Sequence, residues 1–352
     1  MKEGLLIYGC YGYTGKLISE HAVECGLKPV LAGRDEVRTK ELATELNLPY
    51  RVFALDNIES VAEQLKDFKV VLHCAGPFAH TAAVMAKACM QAKTHYLDIT
   101  GEFTVFEKMF KLSEEAKRAG IMLMPGVGFD VVPTDCMALY LKEKLNGAET
   151  LEMALYQKGG KLSHGTAITV AENLGAGCVV RKDSKLVKIR AGSLTRVIDF
   201  GDTKRKGVAI PWGDVSTAFR TTKIPNITIY NVVPQSVIDG MKLSNYIGFI
   251  LNTGIVKRFL TNRIKKRPAG PEKEQRENAH SVVWGEVKNL LGVSKSAVLE
   301  LPEGYTLTAW TAVRIAQNVL ATEPPHGTYT PAAVYGKDFI LRFDKVKRRD
   351  LN

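Results

Sequence analysis

Short β-branched runs, LLIYG, PVLAGR, RVFALD, VVLHCAG, HYLDI and IMLMPGV, alternate with amphipathic stretches up to about residue 145. The stretches between them, such as TGKLISEHAVEC, EVRTKELATEL, TAAVMAKACMQAK and VFEKMFKLSEEAKR, carry apolar residues at helical spacing. Strand and helix alternating at this tempo build βαβ units around a parallel sheet. The strand runs are almost continuously apolar, as they must be when helices cover both faces of the sheet.

The first strand runs straight into GCYGYTG, with glycines at 9, 12 and 15. Alone, such spacing is a weak signal, but here it joins a strand to a helix that begins near Thr14. A tight turn, a close backbone approach to a pyrophosphate, and close helix packing explain the three glycines in order. The helix start then offers N–H groups and positive dipole to the phosphates. The first domain therefore reads as a Rossmann-type dinucleotide fold, with Gly9, Gly12, Tyr13, Thr14 and Gly15 at the cofactor.

The second strand ends in LAGRD. An acidic residue at this place holds the ribose hydroxyls of NAD, and an arginine binds the 2′-phosphate of NADP. Arg34 comes first and Asp35 follows, so the cue is mixed. The strand–Gly–Arg placement favours NADP, because a guanidinium there can fork onto phosphate, with NAD as the alternative. Asp56, at the end of FALD, is a candidate adenine-edge contact, and Ala75, Gly76 and Pro77 after the fourth strand would let the cofactor lie against backbone.

The pattern changes after about residue 148. ETLEMALYQKGG, KLVKIRAG, SLTRVIDFGD, KRKGVAIPW, NITIYNVV, SVVWGEVKN and AVLELPEGYTLT read as strands with fewer helices between them. This implies a second, α+β domain with a mixed or antiparallel sheet. The expected divisions are residues 1–147, 148–306 and 307–352, the last containing a helix, LTAWTAVRIAQNVLA, able to return to the first domain. A length of 352 residues suits two domains.

Composition narrows the class. The six cysteines are scattered, without C-x-x-C pairs or His/Cys clusters, so neither structural zinc nor a disulfide framework is expected, and no metal site. MKEGLLIYGCYG does not read as a signal peptide, which fits a cytoplasmic protein. The net charge of +11 is compatible with an anionic membrane, a phosphate-rich cofactor or an acidic partner. Nucleic acid is disfavoured, because basic and aromatic residues are not interleaved. Residues 242–267, including YIGFILNTGIV and KRFLTNRIKKR, are too short to span a bilayer. They read either as core-packed helices with a basic face or as an interfacial segment touching anionic lipid or an acidic acyl carrier protein.

Hydride transfer also needs a proton donor. Asp98 in HYLDITGE stands at a strand end where ligands bind in open α/β sheets, or caps the following helix. Asp130 in GVGFDVVPTD is a second carboxylate, or a turn residue. His164 in KLSHGTAITVAENLG precedes a helix and adds a titratable ring.

The motifs GCYGYTG, LAGRD, CAGPF, HYLDITGE and PGVGFDVVPTD, with GTAITVAENLGAG, IPWGDVSTAFRTTKIPNI and RPAGPEKEQRENAHSVVWGEV, resemble those of the saccharopine dehydrogenase-like oxidoreductases, in particular the trans-acting enoyl reductase branch. That resemblance covers nearly the whole chain. It implies a Rossmann domain, an inserted α/β catalytic domain and NAD(P)-linked redox chemistry between them. Cys10 and Tyr11 are bulkier than the small residues relatives often carry there. The expected function is an NADP-dependent oxidoreductase, a homodimer, acting on a small or lipid-like substrate. The alternative is an NADP-binding protein without turnover that binds lipid or protein.

Overall fold

The computed structural model of the chain describes residues 4–160, 162–172, 175, 177–251, 253–266 and 268–352. It comprises two compact units, Met1–Val132 with Tyr305–Val334, and Pro133–Gly304 with Tyr335–Asn352.

The chain begins with β1 (Leu5–Tyr8), α1 (Tyr13–Glu24), β2 (Val30–Gly33), α2 (Glu36–Glu45), β3 (Tyr50–Val52) and α3 (Ile58–Leu65). It continues with β4 (Val70–His73), α4 (Phe78–Ala92), β5 (His95–Asp98), α5 (Phe103–Lys111), α6 (Ser113–Ala119) and β6 (Met122–Met124). The strands β1, β4, β5 and β6 are buried along their whole length, as the apolar runs require. Leu6, Val71, Tyr96 and Leu123 project from them onto Met85, Ala86 and Cys89 of α4 and Val61 and Leu65 of α3.

The chain then forms α7 (Val132–Lys144), β7 (Ala148–Lys158), α8 (His164–Glu172), β8 (Cys178–Lys182), β9 (Lys185–Ile189), β10 (Thr195–Asp199) and β11 (Lys204–Ala209). Next come α9 (Asp214–Thr222), β12 (Asn226–Val232), α10 (Gln235–Leu251), α11 (Gly254–Lys265), α12 (Lys273–Asn278), β13 (His280–Asn289) and β14 (Ser294–Pro302). The last elements used below are α13 (Gly304–Ala321), β15 (Gly327–Thr328) and β16 (Lys347–Asp350).

Among the described residues, unit 1 carries a seven-stranded sheet in the order β15-β6-β5-β4-β1-β2-β3. Every pairing in it is parallel. Strand order reverses between β1 and β4, and a doubly wound sheet binds its ligand outside the strand ends at that point. Unit 2 carries a nine-stranded mixed sheet with the main order β10-β11-β12-β7-β13-β14-β16, in which β7 and β12 are parallel and β13 and β14 antiparallel.

Three differences from the sequence reading have local causes. The helix α7, assigned above to the first domain, belongs to unit 2 from Pro133 on. It lies so close to the sheet that a Cβ on Gly285 would stand 2.7 Å from Leu141 Cδ1 and 3.0 Å from Met137 Cγ. The run AVLELPEGYTLT is not one strand: β14 stops at Pro302, which has no N–H to continue the ladder, and α13 starts at Gly304. The strand β16, KRRD, lacks any apolar alternation and is held through its backbone on β14 at the sheet edge.

Residues 242–267 span most of α10 and all of α11. Residues 252 and 267, and the side chains of 249–251, 255 and 265, lie outside the described residues. Among the described residues no helix is long and apolar enough to cross a membrane.

Candidate functional site

The turn after β1 is fixed by hydrogen bonds to β2. The N–H groups of Gly9 and Cys10 both donate to the Ala32 carbonyl, at 2.7 and 3.3 Å. Gly9 has φ +81°, and a Cβ there would meet the Ala75 Cβ and N at 2.8 Å, so the β1 and β4 turns touch through that glycine. A Cβ on Gly15 would lie 2.2 Å from the Gly9 carbonyl oxygen, because α1 packs directly on the turn. Gly12 has a different role. It stands at the N-cap of α1 with ordinary φ −68° and no side-chain cap, and a Cβ there would keep 3.3 Å from the Gly9 oxygen. Gly9 and Gly15 therefore build the turn, and Gly12 leaves the helix start without a side-chain cap, a shape that could take a phosphate.

At the end of β2 the two residues of the mixed cue, Arg34 and Asp35, are placed differently. Asp35 is the N-cap of α2, and its Oδ1 accepts a hydrogen bond from Arg38 N at 3.1 Å. Its carboxylate is engaged with its own helix, as N-cap acids are. Arg34 is exposed directly after the strand. Beside it, Tyr8 donates its hydroxyl to the Phe53 carbonyl at 3.0 Å. Burial pushes that phenol's pKa up, with the nearby Arg34 guanidinium opposing the shift.

Of two neighbouring residues, Tyr11 was read only as bulky and Arg38 escaped the sequence reading. The Tyr11 ring lies over Gly33, so close that a Cβ on Gly33 would be 2.3 Å from its Cε1. The Arg38 guanidinium stacks on that ring at 4.5 Å, and its Nη2 donates to the Tyr11 carbonyl at 3.2 Å. A second arginine in the first turn of α2 was the available signal, and it adds positive charge to this end of the sheet. The residue set at this end of the sheet fits a phosphorylated dinucleotide: a cradle that a Cβ would fill, an open helix start, an exposed arginine and a committed aspartate.

The remaining cofactor candidates lie on the same unit. Gly76 is exposed, and Ala75 and Pro77 are half-buried, in the turn between β4 and α4. Thr81 Oγ1 donates to the Ala75 carbonyl at 2.8 Å and holds that turn. The Glu102 carboxylate accepts from Phe78 N at 2.9 Å, at the start of α4. Asp56 is exposed beyond β3. Thr14 is half-buried in the first turn of α1, and the Tyr13 ring stands edge-on against Tyr305 at 5.0 Å.

The three acid–base candidates are differently placed. Asp98 has no exposed surface. Its Oδ2 accepts from the Tyr96 hydroxyl at 2.6 Å, and its Oδ1 from Thr100 N and Gly126 N, both at 2.9 Å. Burial pushes its pKa up to about 6 against the pull of these donors. Neither the open cleft carboxylate nor the helix cap describes it: Asp98 is an internal brace joining the loops after β5 and β6. Asp130 remains partly exposed, and its carboxyl packs against Gly101, where a Cβ would lie 2.5 Å from Oδ2. Burial pushes its pKa up to about 6 as well. His164 belongs to unit 2, half-buried at the first position of α8, with its N–H on the Ala269 carbonyl at 2.9 Å. Among the described residues no group of three or more His, Cys, Asp or Glu side chains could hold a metal ion.

Residues 5–124 match the model of the saccharopine dehydrogenase NADP binding domain. The chain is 28% identical to a saccharopine dehydrogenase-like oxidoreductase of Bos taurus over 166 residues, covering 42% of this chain and 39% of that protein. It is 25% identical to the protein of the same name in Homo sapiens over 406 residues, covering 96% of this chain and 94% of the other. A trans-acting enoyl reductase of Mycobacterium leprae is 27% identical over 157 residues, covering 42% of this chain and 38% of that protein. The alignments with the bovine and mycobacterial proteins thus span about two fifths of their length. Among solved structures, apo saccharopine dehydrogenase (L-Glu forming) from Saccharomyces cerevisiae superposes with a TM-score of 0.68 at 13% identity, covering 99% of this chain and 100% of that one, which establishes a shared fold. Residues 5–124 thus match an NADP-binding domain of the saccharopine dehydrogenase type, and the chain as a whole is similar to the saccharopine dehydrogenase-like oxidoreductases.

Proposed function

We propose that the chain is an NADP-dependent oxidoreductase that transfers a hydride to an unsaturated or carbonyl carbon of an acyl or lipid-like substrate. The observation that carries this reading is the division of labour at the end of β2. Asp35 caps α2, and Arg34 and Arg38 are both exposed, so charge at this end favours a 2′-phosphate. The bound nicotinamide would supply the hydride.

The chain's own contribution begins with the open start of α1, where Gly12 admits the pyrophosphate. The turn through Ala75, Gly76 and Pro77 offers backbone rather than bulk to the rest of the cofactor. Asp130 is assigned as the proton donor. A carboxyl with a pKa near 6 is still protonated in part at neutral pH, which suits a general acid. His164 is the second candidate, on the start of α8. The acyl class follows the enoyl reductase relative by analogy.

The test is transfer of deuterium from nicotinamide-labelled NADPH to a panel of enoyl thioesters, aldehydes and imines. Label should appear in the saturated thioester formed from an enoyl substrate or in the alcohol formed from an aldehyde, and Asp130→Asn should lower kcat at least about tenfold while NADPH binding persists. Binding of NADPH without label transfer to any of these classes would favour a binding protein without turnover.

A further inference from the structure

The turn between β13 and β14 holds two leucines in water. Leu290 is 86% exposed and Leu291 88%, the most exposed large apolar side chains among the described residues, and Val293 follows at 47%. The turn is closed by its own hydrogen bonds. Asn289 N donates to the Val293 carbonyl at 3.0 Å, and Gly292 N to the Asn289 carbonyl at 3.1 Å. The Asn289 side-chain oxygen also accepts from Leu291 N and Val293 N, at 3.1 and 3.0 Å. Gly292, at φ +81°, takes the left-handed position that closes the turn. A hydrogen-bonded hairpin tip functions with Asn, Asp, Ser or Gly at its apex, so local structure does not account for the adjacent leucines.

The strand register brings lysines to the same end of the unit 2 sheet. Lys288 lies opposite Thr150 at the start of β7, and Lys295 opposite Val287. The start of β12 is there too, with Asn226 opposite Thr150. Arg181 of β8 is opposite Ile227, which adds the β8–β9 turn with Lys182 and Lys185. Lys223 lies three residues before the first residue of β12. Lys182, Lys185, Lys223 and Lys288 are exposed and Lys295 half-buried. The acidic residues at this end include Glu149 and Asp183, with Asp350 engaged by Lys144 at 2.7 Å.

We propose that this end of unit 2 docks on an anionic lipid surface. Leu290 and Leu291 enter the boundary between headgroups and acyl chains, and the surrounding lysines sit at the level of the phosphates. Leucine at the apex with lysine around it is the arrangement such an interface favours, since long basic side chains keep their heads at the phosphates while their stems face the apolar layer. A protein partner fits less well. A standard interface buries roughly 800 Å² on each side, and a tip two leucines wide would need a ready-made pocket.

The experiment is co-sedimentation of the full chain with phosphatidylcholine vesicles, with and without phosphatidylserine. It compares wild type, Leu290→Ser/Leu291→Ser, and Leu243→Ser/Tyr246→Ser on α10, whose residues are also exposed. Wild type should bind the phosphatidylserine vesicles and release them at high salt. The tip variant should lose binding, on the order of tenfold per leucine, while its melting temperature and NADPH affinity stay unchanged. The α10 variant should bind like wild type. The proposal is overturned if wild type ignores anionic vesicles, if the tip variant binds normally, or if only the α10 variant loses binding. It is also overturned if sedimentation equilibrium shows the tip variant dissociating an oligomer, because the finger would then grip a second protein chain. None of these readouts requires turnover, so their failure leaves the NADP reading untouched.

Discussion

A Gly15→Ala chain should be less stable than wild type by about 3 kcal/mol, the upper part of the usual range for overpacking. The new Cβ would stand 2.2 Å from the Gly9 carbonyl oxygen and 3.1 Å from the Cys10 Cα, and both are backbone atoms held by the turn. No flexible side chain can move aside, so α1 must shift or the turn must open. Gly12→Ala should behave differently. Its Cβ keeps 3.3 Å from the same oxygen at an ordinary φ, so the fold should lose no more than about 1 kcal/mol. Its cost should fall on dinucleotide binding, because the methyl occupies the approach to the helix start. Urea melts and NADPH titrations of the two variants separate the glycine that builds the turn from the one that admits the ligand. Equal stability losses in both would show that this division is wrong.

Asp98→Ala should cost at least about 3 kcal/mol, whereas Asp98→Asn should cost less than about 1 kcal/mol at neutral pH. Alanine leaves the N–H groups of Thr100 and Gly126 and the Tyr96 hydroxyl buried without their acceptor. Asparagine keeps an oxygen for the two N–H groups and turns its amide toward the tyrosine oxygen, which a hydroxyl can accept. The pH dependence follows from burial, which pushes this carboxyl up to about 6, while an unfolded aspartate titrates near ~3.9. The folded state therefore binds the proton more tightly, and the group's favourable contribution is complete below pH ~4 and lost as pH rises through about 6. Wild type should accordingly lose stability relative to Asp98→Asn across that window, by up to ~3 kcal/mol. Denaturation at pH 4.5 and pH 7.5 measures the difference. A difference between wild type and Asp98→Asn that does not change between the two pH values would mean that the three donors offset burial and the folded-state pKa is not raised.

The parallel sheet was legible because each strand was a short apolar run and each helix an amphipathic one. The glycine cradle was legible because its spacing fell at a strand–helix junction. Less was visible where function depended on which neighbour a side chain chose. Arg34 and Asp35 gave a mixed cue until the cap to Arg38 N showed where the aspartate points. Tyr11 looked only bulky, and its stacking between Gly33 and Arg38 depends on two residues distant in sequence. Asp98 looked like a carboxylate at a ligand-binding strand end, but its tyrosine and backbone donors draw it inside. The strand β16 was hidden because an edge strand paired through backbone needs no apolar pattern.

The measurement that tests the account most directly is a fluorescence titration of wild type and Arg34→Ala with NADPH and NADH. A guanidinium bound to the 2′-phosphate should make wild type prefer NADPH by roughly 10- to 100-fold, from a charge-assisted contact of about 1.5–3 kcal/mol. Arg34→Ala should bring the two affinities close to parity, leave NADH binding nearly unchanged, and retain the wild-type melt, because the side chain is exposed. Equal affinities in wild type, or a full preference for NADPH that survives in Arg34→Ala, would contradict the assignment of Arg34 at the end of β2.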